Sequence, residues 1–124
     1  MLSSLLIVAV LNQVGPCVSF EPATVELSGK LVRRVFPGPP NYEDVKKGDA
    51  PEQGFYLDLE KPICATGGKW PEHGTVISAR IQLVLDDAGY DRLRPSLNRR
   101  IKVKGSLFPS LTGHHHAPLL LDAR

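Results

Sequence analysis

The stretch TVELSGKLVRRVF, Thr24–Phe36, alternates with a period of two: Val25, Leu27 and Leu31 fall on one face, Glu26, Ser28 and Lys30 on the other. That is the pattern of a half-buried β-strand. Gly29 in its middle marks a bulge or sharp bend, where the missing side chain admits another backbone. Outward from this segment the same period returns in FYLDLEKPICA (Phe55–Ala65), with Phe55, Leu57 and Leu59 inward, and in TVISARIQLVLD (Thr75–Asp86), with Ile81, Leu83 and Leu85 inward. RRIKVKGSLF (Arg99–Phe108) follows with Ile101, Val103 and Leu107 inward, and APLLLDA (Ala117–Ala123) makes a fifth strand. Between the third and fourth, DAGYDRLRPSLN sets Tyr90, Leu93 and Leu97 at helical spacing until Pro95 interrupts, which fits one short helix or a pair of turns. This order predicts an all-β fold, a small OB-like five-stranded barrel with one short helix between the third and fourth strands. Gly29 and Gly105 suit the bends of so small a barrel. An open meander or a sandwich is the competing arrangement.

Composition agrees with many turns and few helices: 124 residues carry 11 glycines and 11 prolines. The length suits one domain. A net charge of +2 lacks the bulk positive field of a protein that holds polyanions by electrostatics alone, and aromatic residues for base stacking are only 6%. Nucleic acid is therefore not the expected partner.

At the N-terminus Leu5 to Leu11 form an apolar run too short to span a bilayer but long enough for a secretion signal. The expected organisation is a signal peptide over 1–19, with its cleavage site unassigned, and a single β-rich domain over 20–124, exported to the periplasm or secreted, with no membrane span once the signal is removed. No basic residue precedes the apolar run, and Pro16 stands just before Cys17, which disfavours a lipoprotein signal. The chain has two cysteines, Cys17 and Cys64, and in an oxidising compartment an even count suggests one disulfide. The alternative is that Cys17 leaves with the signal and Cys64 is a buried thiol.

Chemistry concentrates in two loops. TGHHHAP, Thr112–Pro118, holds three consecutive histidines; in an extended segment His114 and His116 share a face while His115 points away. Two imidazoles are half a zinc site, and the candidates to complete it are His73, Asp49 and Glu52. No HExxH or CxxC spacing supports a resident metal, so no cofactor is expected, zinc being the ion such a site would take. GDAPE, Gly48–Glu52, brings two carboxylates close together before a strand, either for acid–base or cation chemistry or as a solvated turn in which Asp49 caps nearby backbone. Basic residues gather at Arg33 and Arg34 and again through Arg92, Arg94, Arg99, Arg100, Lys102 and Lys104.

The segments VELSGKLVRRVFPGPPNYEDVKKGDAPEQGFYLDLEKPIC, IQLVL and VKGSLFPSLTGHHHAPLLL, in that order, resemble the bacterial family called domain of unknown function 4431. The resemblance runs over nearly all of the chain beyond the signal. It implies a small exported β-rich protein, some members being joined to lysozyme-inhibitor-like domains, and implies no reaction. The motif segments it carries across include Pro37–Tyr42, and hence Asn41 and Tyr42, together with Asp49, Glu52, Cys64 and Thr112–His116. Leu111 and Ala117 depart from the pattern, standing where a further histidine and a threonine are usual.

These readings lead to an exported, non-enzymatic binding or accessory domain that meets a protein or small ligand through Asn41, Tyr42, Asp49, Glu52, His114, His115 and His116. The alternative is a metal-assisted hydrolase with His114 and His116 as ligands and Asp49 or Glu52 as ligand or base. A second alternative is anion or nucleic-acid binding, which requires Arg33, Arg34, Lys102 and Lys104 to share one groove.

Overall fold

The computed structural model describes residues 16–124. The expected signal lies largely outside them. Strands β1 (Val18–Ser19), β2 (Val25–Pro37), β3 (Pro51–Thr66) and β4 (Val76–Val84) precede helix α1 (Asp87–Leu93), and β5 (Arg100–Pro109) and β6 (Leu119–Asp122) follow it. β2 pairs antiparallel with β3 and β5, β3 with β4, and β5 with β6, while β4 runs parallel to β6. The fold is thus mostly β with one short helix, a six-stranded sheet in which five strands close into a ring.

The alternating faces explain the ring's interior. Leu27, Leu31, Phe55, Leu57, Ile81, Leu83, Val103 and Leu107 meet in one buried cluster, joined by Leu119 and Leu121. Gly29 lies against the next strand so closely that an added Cβ would stand 2.6 Å from the Asp58 carbonyl oxygen. A register shift between Asp58 and Ile63 lets β3 bend and pair with β4 on both sides of it. Asp86 caps α1 by accepting from the Gly89 amide at 2.8 Å, and a 3-10 turn at Arg94–Ser96 takes over where Pro95 forbids further α-helix.

Cys17, ahead of the boundary expected at residue 20, is bonded to Cys64, and Val18 and Ser19 pair in parallel with Ala65 and Thr66, leading Phe20 into the core. One expected strand start changes. β3 begins at Pro51, not Phe55, because β2 runs on to Pro37 and pairs Phe36 with Glu52. Glu52 is therefore a strand residue. In β6 Leu120 is buried as well as Leu119 and Leu121, so the strand is covered on both faces. Tyr56, Gln82, Leu120 and Phe108 form one cross-strand row on the outer side of the ring, and the histidine segment lies over it.

Candidate functional site

The site is built where the β2–β3 loop meets the β5–β6 link, on that outer row. Asp49 organises the loop. It is 4% exposed, and its carboxylate accepts from the backbone amides of Asn41 at 2.9 Å, Glu43 at 2.8 Å and Asp44 at 3.0 Å. Hydrogen bonds from Asp44, Glu43 and Asn41 hold the carboxyl below its ordinary range, against the upward push of burial. The loop presents Tyr42 with φ of 56°, a left-handed conformation uncommon for a side chain of that size.

Glu52 faces the other way. One oxygen lies 2.5 Å from His114 Nδ1 and the other 2.8 Å from His116 Nε2. Burial raises the Glu52 pKa, but the hydrogen bonds from His116 and His114, with their charge, outweigh it and the net shift is downward. Gly38 leaves the space for this carboxylate, since a Cβ there would stand 2.5 Å from Glu52 Cγ.

His116 is the anchored ring. It stacks on Phe36 with centroids 4.9 Å apart, and its backbone amide donates to Gln82 Oε1 at 2.6 Å. His114 is more exposed; with Nδ1–H donating to Glu52, its Nε2 accepts from the Tyr42 hydroxyl at 3.3 Å. His115 turns aside toward Phe108, and its Nδ1 accepts from the Leu111 amide at 2.9 Å. The separation of His114 and His116 from His115 comes from a turn, closed by the His115 amide donating to the Thr112 carbonyl, and not from an extended strand.

The candidate residues thus divide. Tyr42, Glu52, His114 and His116 meet, whereas Asp49 and the backbone of Asn41 belong to the loop's own framework. His73 packs edge-on against Trp70 in the β3–β4 turn. Among the described residues, no group of three or more His, Cys, Asp and Glu side chains is arranged to hold a metal ion. Sequence reasoning passed over Gln82, Phe36 and Tyr56, which carry the histidines from below; Gln82 at an outward position of an apolar strand was the available signal.

Arg33, Arg34, Lys102 and Lys104 do not share one groove. Arg33 and Arg34 point to opposite faces of β2, Arg34 pairs with Asp58 at 2.6 Å, and Lys104 lies opposite Glu26 near the far end of the strand. No helix among the described residues is long and apolar enough to cross a membrane.

Neither a curated protein nor a solved structure matches the chain. Residues 80–124, which take in α1, β5, β6 and His114–His116 but neither Asp49 nor Glu52, match the family described as Domain of unknown function (DUF4431), and over that C-terminal part the chain is similar to that family.

Proposed function

We propose that this chain is an exported, non-enzymatic binding domain on an OB-like barrel, which recognises a protein or small ligand with the rim where the β2–β3 loop and β5–β6 link meet. The barrel reading is supported by the closed order β2–β3–β4–β6–β5, by the parallel β4–β6 pair and by the helix between β4 and β5. Export agrees with the Cys17–Cys64 disulfide, and cleavage would then fall ahead of Cys17. One observation carries the binding reading: Glu52 fastens both His114 and His116, and through His114 the Tyr42 hydroxyl, so two loops present one fixed polar surface. A metal-assisted hydrolase needs Asp49 or Glu52 as a free base or ligand; Asp49 is engaged by three amides and Glu52 by two rings.

The test compares immobilised full-length chain with Tyr42→Ala and His114→Ala variants of equal thermal stability against periplasmic extract and a small-ligand panel. Binding by the native protein that both variants lose supports the rim. Binding that both variants retain refutes it.

A second reading, hydrolysis without metal, is favoured by the Tyr42–His114–Glu52 relay, in which a carboxylate orients an imidazole toward a hydroxyl. It requires activated-ester turnover that Tyr42→Phe abolishes; turnover unchanged in that variant rejects it.

A further inference from the structure

A second site lies away from the histidines, at the end of the ring covered by α1. The inward positions of β2 read Leu27, Gly29, Leu31 and then Arg33, so a guanidinium stands where the alternation calls for an apolar side chain. Arg33 is opposite Phe55 in the β2–β3 register, and Phe55 packs edge-on against Tyr90 of α1 with centroids 4.9 Å apart. Among the described residues Arg33 has no carboxylate partner. Arg94, just past α1, stands beside it; its one acidic partner, Asp91 at 2.8 Å, is solvent-exposed and leaves donors free.

Two adjoining cavities share these arginines. One, of about 190 Å³, is floored by Phe55, Tyr90 and Leu97 and edged by Gln53 and Gly54. The other is bounded by Arg33, Arg94, Leu97 and Asn98. The segment carrying Arg94 is pinned to β2, since the Asn98 amide donates to the Leu31 carbonyl at 2.7 Å and the Leu31 amide to the Arg99 carbonyl at 2.9 Å. Asn98 takes a left-handed φ of 69° to make this connection. The backbone on either side of the apolar notch is therefore fixed, and it sets Arg33 and Arg94 among the residues that line it.

We propose that this notch binds a small aromatic oxyanion, its carboxylate or phosphate between Arg33 and Arg94 and its ring against Phe55, Tyr90 and Leu97. Guanidinium forks pair bidentately with carboxylate or phosphate oxygens, and an aromatic floor with a cation at its edge suits a flat apolar body. A volume of about 190 Å³ admits a single substituted ring. This site is separate from the Glu52 rim and stands whether or not that reading holds.

The experiment titrates benzoate, phenyl phosphate and inorganic phosphate into the isotopically labelled full chain, following arginine Nε–H and aromatic ring signals by NMR. Saturable shifts at Arg33, Arg94 and Tyr90 with at least one aromatic anion, weakened about tenfold or more in Arg33→Gln/Arg94→Gln, uphold the proposal, and the order of affinities separates carboxylate from phosphate. No saturable shift, unchanged affinity in the variant, or inorganic phosphate binding as tightly as phenyl phosphate overturns it. Because both arginines are solvent-exposed, the variant is expected to keep a native spectrum; His114→Ala should bind as the native chain does.

Discussion

Breaking the Cys17–Cys64 bond is a large perturbation at a single point of the fold. The bond spans 47 residues of sequence, so on the chain-entropy treatment its loss destabilises the domain by about 4 kcal/mol. It also releases β1, whose one strand neighbour is β3, and loosens the entry of Phe20, a fully buried core residue. With an unfolding entropy of about 2 cal/mol/K per residue, that cost lowers Tm by about 15–20 °C. The assay is thermal unfolding followed by circular dichroism, with and without reductant, beside a Cys17→Ser/Cys64→Ala variant. The reasoning fails if the reduced protein and the variant both melt within about 3 °C of the native chain, since that corresponds to less than about 1 kcal/mol. A thiol assay on unfolded protein from the native compartment supplies the link to export: an oxidised chain has no reactive thiol, a cytoplasmic one has two.

Asp49 and Glu52 make stability depend on acid pH. Both carboxyls have folded pKa values below their ordinary ones, so their contribution is present above the unfolded carboxylate range and is lost as pH falls through the folded values. Chemical unfolding from about pH 5 downward should show declining stability, with a shallower decline in Asp49→Asn; identical slopes would reject the assignment. Gly29→Ala should cost about 1–3 kcal/mol, because the new methyl meets the Asp58 carbonyl, and a neutral effect in denaturant titration would show that the strands separate easily. His115→Ala should cost under about 1 kcal/mol, since it removes one exposed acceptor for the turn amides; a loss of rim binding in that variant would instead place His115 in recognition.

Strand positions were legible because one face of each meets the core: Leu27, Leu31, Phe55, Leu57, Ile81 and Leu83 all sit where alternation places them. The start of β3 was hidden by Pro51 and Gly54, residues that read as turn but lie in a strand whose partner, β2, outlasts its own apolar pattern. Cys17 to Ser19 were ambiguous because a signal border and a short parallel strand have the same local composition, and the pairing with Ala65 and Thr66 is far away in sequence. In the site, alternation brought His114 and His116 together for the wrong local reason, a turn rather than a strand. The sequence also could not separate Asp49 from Glu52. Their divergence depends on three loop amides on one side and two imidazoles of the β5–β6 link on the other.

Glu52 joins the β5–β6 link to β3 through His116 and His114. A double-mutant cycle of Glu52→Ala and His116→Ala, measured by denaturant unfolding at neutral pH, isolates that contact. His116 has 11% of its side-chain surface exposed and Glu52 25%, so the coupling is expected at about 1 kcal/mol after allowing for partial solvent screening. His114, at 59% exposure, should couple to Glu52 more weakly, by about 0.5 kcal/mol. Single variants whose effects simply add, within about 0.3 kcal/mol for both pairs, would contradict the joined rim and the binding surface built on it.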